Sequence, residues 1–174
     1  MVLFFWIMTE QEKKKDGNIL IYLLIFLLVI LIRTFIITPV MVNGDSMNPT
    51  LEDNDIMILN KINYKLNEIK RFDIVVIKQN NNHLIKRIIG LPNEKVMYQN
   101  NTLYINCKKI EENYKIDDTY NFISEEIPSN CYFVLGDNRN NSTDSRTFGF
   151  VKKEDILGSA NLVIFPFNKF GLKT

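Results

Sequence analysis

The chain opens on a long apolar block and then changes period. From Ile19 to Ile32 the sequence "ILIYLLIFLLVILI" carries no charge, and after Arg33 and Thr34 the apolar character resumes through "FIITPVMV". Counted from Ile19 to Ile37 the stretch is 19 residues. As a helix it extends roughly 28 Å, about the thickness of a hydrocarbon core, which predicts a membrane span. Arg33 then lies near the far end, where a long side chain reaches the headgroups. A cleaved signal peptide fits less well, because the run exceeds the usual apolar region and "TPVMVNG" offers no pair of small residues at cleavage spacing. A buried core helix fits so long an uncharged run less well still. The opening "MVLFFWIM" is too short to span by itself.

Beyond residue 42 the pattern becomes short and alternating. "DIMILNKI", "FDIVVIK", "HLIKRIIG", "KVMYQ", "TLYINCK", "CYFVLG" and "NLVIFPF" are of strand length and rich in Ile, Val, Tyr and Phe. Turn signals separate them: "NPT", "QNNN", "LPN", "QNN", "PSN", "GDNRNN" and Gly158. No amphipathic helix of about a dozen residues interrupts them. The pattern predicts a mainly β protein, with a single N-terminal transmembrane helix followed by an all-β domain built as a barrel or sandwich. The expected division is an N-terminal segment over 1–18, an anchor over 19–38 and a β domain over 39–174.

Charge and composition add little to this picture except orientation. Lys13, Lys14 and Lys15 precede the span, and the positive-inside rule keeps that end cytoplasmic and sends the β domain outside the cytoplasmic membrane. Across the 174 residues Lys+Arg number 21 against 20 Asp+Glu, so no global field points to nucleic acid or to acidic substrates. Cys107 and Cys131 are too few for a disulfide scaffold and lack the paired spacing of a zinc site; they are two thiols, or one disulfide if the domain is extracytoplasmic.

Three stretches carry candidate chemistry. In "GDSMNPTL" a serine, Ser46, stands in a turn, with Met47 and Leu51 as apolar neighbours that can line a pocket and Gly44 permitting close backbone approach. A turn serine is also an ordinary cap, so the box alone does not decide. In "HLIKRIIGLP" a strand would put Leu84, Lys86 and Ile88 on one side and Ile85, Arg87 and Ile89 on the other. Whichever face is buried draws a cation in, and only lysine can then become a neutral base. The alternative is that both stems cover apolar surface while their heads reach water. His83, the one histidine, opens this strand beside "QNNN", where exposure is expected. In "GDNRNNSTDSRTFGFV", Asp137, Asn138, Arg139, Ser142, Asp144, Ser145 and Arg146 crowd into one loop, a density of hydrogen-bonding groups suited to holding other side chains in place.

Taken together and in order, the anchor, "GDSMNPTL", "RFDIVVIK", "KRIIGLP" and "GDNRNNSTDSRTFGF" resemble the type I signal peptidases, membrane-anchored serine proteases that remove signal peptides from exported proteins. The resemblance covers nearly the whole chain. It implies that Ser46 is the nucleophile and Lys86 the general base, that Ser142 hydrogen-bonds the lysine, and that Asp144 and Arg146 brace the site. It places the oxyanion on the Ser46 N–H. The family's further donor lies two residues upstream; here that is Gly44, which has no hydroxyl, so a second donor must be less direct. Val40, Val42, Met47, Leu51 and Ile85 are implied as the lining of shallow apolar pockets for small side chains. Asn93 and Glu94 depart from the Gly-Asp with which the family commonly follows its lysine box. The implied partners are exported preproteins and the lipid bilayer, with no nucleic acid, no metal and no cofactor. A peptidase dedicated to one secreted or pilin-like substrate and an inactive membrane scaffold of the same fold are the alternatives. A self-cleaving repressor with a Ser-Lys pair would need a DNA-binding module where this chain has a membrane span.

Overall fold

A computed structural model of the protein describes residues 2–62, 68–80, 82–114 and 118–173, with side chains described from Asn18 onward. The chain divides into two compact units, residues 1–37 and 38–174.

The first unit is one helix, α1 (Val2–Phe35), whose stretch Asn18–Phe35 is long and apolar enough to cross a membrane. It ends sooner than the apolar run. Thr38 precedes Pro39, whose ring disfavours helical geometry in the residue before it, and Ile36 and Ile37 are β-branched. Ile37 accordingly opens the first strand, β1 (Ile37–Met41), within the segment expected to belong to the anchor.

The second unit is two sheets. The larger contains β1, β2 (Ile56–Asn60), β3 (Ile74–Gln79), β4 (Asn82–Gly90), β9 (Cys131–Leu135), β10 (Val151–Lys152), β11 (Ile156–Phe165) and β12 (Gly171–Leu172). Its order is β1-β2-β11-β3-β4-β9-β10, with β12 on β11. The smaller runs β7-β6-β5-β8, from β5 (Val96–Gln99), β6 (Thr102–Ile105), β7 (Lys108–Ile110) and β8 (Phe122–Ile123). One helical turn, α2 (Ser145–Phe148), follows β9.

Each of the seven expected strand segments contains a strand, with two corrections. "TLYINCK" is not one strand: Asn106 and Cys107 both take positive φ, 49° and 66°, and form the two-residue loop between β6 and β7, where Ile105 pairs with Lys108. Gly158 is not a turn but an interior residue of β11, where the register shifts. A Cβ there would meet the Asn60 carbonyl oxygen at 2.5 Å, so the glycine allows the neighbouring backbone to approach. The abundant asparagines do supply left-handed turns: Asn100 and Asn101, both at positive φ, join β5 to β6.

Three apolar clusters fill the unit. β3 shows why its sequence is a continuous apolar run, since Ile74 and Val76 enter one cluster and Val75 and Ile77 another, burying both faces. The third lies between the sheets, joining Ile89, Phe133 and Leu135 to Val96, Tyr98, Leu103 and Ile105. Cys107 and Cys131 are both free thiols.

Candidate active site

Ser46 stands on the turn that leaves β1. Gly44 holds φ at 86°, a conformation that costs glycine little, and its N–H donates to Asp53 Oδ1 at 2.7 Å. Asn48 N–H donates to the Asp45 carbonyl at 3.0 Å and Leu51 N–H to the Met47 carbonyl at 3.0 Å, closing the turn. Met47 and Leu51 are 1% and 0% exposed and pin it to the first apolar cluster, which leaves Ser46 half-buried at the surface.

Lys86 reaches this serine from β4. It is 2% exposed, and its Nζ donates to Ser46 Oγ at 2.7 Å. Both faces of this part of β4 are buried, so both cations of the "KR" pair are taken out of water, with different outcomes. Arg87 meets a carboxylate: its Nε and Nη2 donate to Asp137 Oδ1 and Oδ2 at 2.8 and 2.7 Å. Burial instead pushes the Lys86 amine down to about 8 from its ordinary 10.5, against the opposing pull of Asp144 and Asp137. His83 is exposed at the start of the strand.

The loop after β9 holds both. Asn138 N–H donates to the Ser46 carbonyl and its Nδ2 to the Asp45 carbonyl, each at 3.1 Å, clamping the peptide groups that flank the serine. The Ser46 N–H donates to no group among the described residues. Asp144 caps α2 by accepting from Arg146 N–H at 3.2 Å, takes a paired bond from Arg146 Nε and Nη2 at 2.8 Å each, and accepts from Gly136 N–H at 3.2 Å. This ion pair is buried, its side chains 5% and 0% exposed. Ser142 lies in the same loop, but the hydrogen bond expected between it and Lys86 is not formed. Its Oγ is buried without a partner among the described residues and turned against Gly136, where an added Cβ would meet Ser142 Oγ at 2.3 Å and the Ser46 carbonyl oxygen at 2.4 Å.

The five residues implied as pocket lining divide by depth. Val42, Met47 and Leu51 lie within the first cluster, and Val40 and Ile85 pack on it while half-exposed. The loop after the lysine box accommodates its unusual pair: Asn93 takes φ 62°, a conformation that suits asparagine better than most residues. Glu94 accepts from Leu91 N–H at 2.7 Å and pairs with Arg71 at 2.6 Å.

Gly136 and Arg87 carry no assigned role in the sequence boxes, and Asp137, Asn138 and Arg139 stand there only as members of a polar loop. A glycine closing an apolar strand is a sign of close approach, and an arginine inside an aliphatic run needs a carboxylate partner; both signals were present. Which carboxylate, and what approaches, depends on contacts far apart in sequence.

An amine whose pKa burial lowers, set against a serine hydroxyl beside a free backbone N–H, is equipped for acyl transfer. Comparison with known proteins agrees with that chemistry. Residues 17–165 match the family described as signal peptidase, peptidase S26. The signal peptidase I of Bacillus caldolyticus is 39% identical in an alignment covering 95% of this chain and 100% of that protein. Signal peptidase I S of Bacillus subtilis (strain 168) is 40% identical over 80% of this chain and 83% of its own length. A crystal structure of a signal peptidase I from Enterococcus faecalis V583 is 38% identical with a TM-score of 0.50, covering 53% of this chain and 97% of that one.

Proposed function

This chain belongs to the signal peptidase, peptidase S26, family, and from that premise we propose that it removes signal peptides from exported preproteins with Ser46 as nucleophile and Lys86 as general base. The observation that carries the assignment of residues is the 2.7 Å contact between Lys86 Nζ and Ser46 Oγ at a lysine that burial pushes toward neutrality.

Neutral Lys86 takes the Ser46 proton as Oγ attacks the carbonyl carbon of the last signal-peptide residue. The Ser46 N–H stabilises the oxyanion, and the Lys86 ammonium returns the proton to the departing amine of the mature protein. Water, deprotonated by Lys86, then attacks the acyl carbon, and the Lys86 ammonium returns that proton to Ser46 Oγ as the ester bond to the signal peptide breaks. Gly44 supplies no second donor through its own N–H, which Asp53 occupies. Val40 and Ile85, resting on Val42, Met47 and Leu51, form the shallow apolar floor that suits small substrate side chains.

α1 anchors the enzyme in the cytoplasmic membrane, with Lys13–Lys15 on the cytoplasmic side and the β unit outside. A signal peptide held in the same bilayer then meets the site at raised effective concentration. Detergent-solubilised wild type incubated with an exported preprotein releases the mature product, and Ser46→Ala and Lys86→Ala do not. Cleavage by either variant would remove the dyad.

A further inference from the structure

Arg139 connects the catalytic loop to the small sheet. It is 1% exposed, and all the N–H directions of its guanidinium are used. Nε donates to the Gly136 carbonyl at 3.0 Å. Nη1 donates to Tyr98 Oη at 2.5 Å and Thr119 Oγ1 at 3.1 Å, and Nη2 to Glu112 Oε1 at 2.9 Å and Tyr114 Oη at 3.2 Å. Tyr98 lies on β5, Glu112 and Tyr114 follow β7, and Thr119 precedes β8. Glu112 Oε1 organises the group, accepting also from the hydroxyls of Tyr98 and Tyr114.

From Arg139 a closed circuit runs through the site. Its carbonyl accepts from Arg146 Nη2 at 2.7 Å, Arg146 pairs with Asp144, Asp144 accepts from Gly136 N–H, and the Gly136 carbonyl accepts from Arg139 Nε. Gly136 is the residue packed against Ser142 Oγ and the Ser46 carbonyl. A buried ion pair gains little net stability over apolar side chains of similar volume, because desolvation opposes the attraction. What it does supply is direction, since a rigid guanidinium with every donor engaged admits one placement.

We infer that Glu112 is a positioning residue for the hydrolytic reaction: by fixing Arg139 it holds the 136–146 segment in register with Ser46 and Lys86. The inference rests on the Ser46–Lys86 reading. Lys86 feels Asp137 and Asp144 from this segment, themselves paired with Arg87 and Arg146. Loosening the segment withdraws the two carboxylates that favour the ammonium, so the acid limb of kcat/KM moves to lower pH.

The test uses the full-length enzyme in detergent with an exported preprotein. Glu112→Gln keeps a neutral acceptor but removes the countercharge; it lowers kcat about ten- to a hundredfold, leaves KM nearly unchanged and shifts the acid limb downward. Glu112→Leu with Arg139→Met restores thermal stability toward wild type without restoring kcat. Tyr98→Phe, which deletes one hydroxyl, keeps the test decisive should the charge variants fail to fold: it lowers kcat several-fold with the same downward shift. A folded Glu112→Gln or Tyr98→Phe with wild-type kcat and an unmoved acid limb would overturn the inference, as would a double variant with full kcat. Ser46→Ala in the same assay separates the two claims, because cleavage there refutes the dyad, whereas an inactive Ser46→Ala beside a fully active Glu112→Gln refutes only the positioning role.

Discussion

Arg87 and Asp137 form a two-pronged ion pair, with contacts of 2.8 and 2.7 Å and both side chains 0% exposed, that ties β4 to the loop after β9. Arg87 sits beside Lys86 and Asp137 beside Asn138, so one bond holds the lysine's strand against the loop that clamps Ser46. Arg87 also donates to the Phe72 carbonyl at 2.9 Å and lies 3.8 Å from the centre of the Tyr114 ring.

Removing one partner therefore leaves a buried charge uncompensated. Asp137→Ala or Arg87→Ala is expected to destabilise the β unit by about 3–5 kcal/mol, and Arg87→Met combined with Asp137→Leu to recover most of that. Urea unfolding of the three variants measures it. A double variant no more stable than the singles would show that the pair does not act as a unit.

The pH dependence follows from Lys86. Only the neutral amine accepts the serine proton, so kcat/KM rises with pH through about 8 and falls away below it. Lys86→Arg is inactive at every pH because guanidinium does not deprotonate, whereas His83→Ala keeps most activity. Stability obeys the same linkage: the folded value is lowered from 10.5 to about 8, so unfolding releases no proton from this site below about 8 and takes one up between 8 and 10.5. The burial penalty on Lys86 is thus fully present below about pH 8 and disappears as pH rises toward 10.5. Lys86→Met should flatten that part of the stability profile; an unchanged profile would mean that Lys86 is not the group titrating.

At Gly136 the structure leaves no room for a side chain. Gly136→Ala places a Cβ 2.4 Å from the Ser46 carbonyl oxygen, a backbone atom that cannot move without moving Ser46. A displacement of about 1 Å can cost on the order of a hundredfold in rate, and single-turnover cleavage should fall by that amount.

Ser142→Ala separates stability from catalysis. Its Oγ is buried without a partner among the described residues, so the substitution should leave the Tm unchanged or raise it. If Ser142 turns toward Lys86 during the reaction, kcat falls while KM hardly changes. Unaltered kcat in the folded variant would reduce Ser142 to a loop residue.

Orientation is tested by protease added to intact spheroplasts, which should digest the unit beyond residue 38. Protection there together with digestion in inverted vesicles would reverse it.

Much of this protein was written in local pattern. The uncharged run from Ile19 predicts a helix long and apolar enough to cross a membrane, because length and apolarity are read directly from consecutive residues. Seven strand segments were legible from alternation and turn residues, and Ser46, Lys86, Asp144 and Arg146 from short boxes resembling one family. Tertiary structure decided what local pattern cannot encode. Gly158 reads as a turn until the Asn60 backbone lies against it, and "TLYINCK" reads as one strand until a two-residue turn folds it back. The pairing of Arg87 with Asp137, the use of Gly44 N–H by Asp53, the unpartnered Ser142 hydroxyl and the hold of Glu112 on Arg139 are also of this kind. Each joins groups that chain order keeps apart, and the direction of a buried hydrogen bond depends on where two backbones meet. The lowered pKa of Lys86 has the same origin, because desolvation belongs to the surroundings of a side chain and not to its neighbours in sequence.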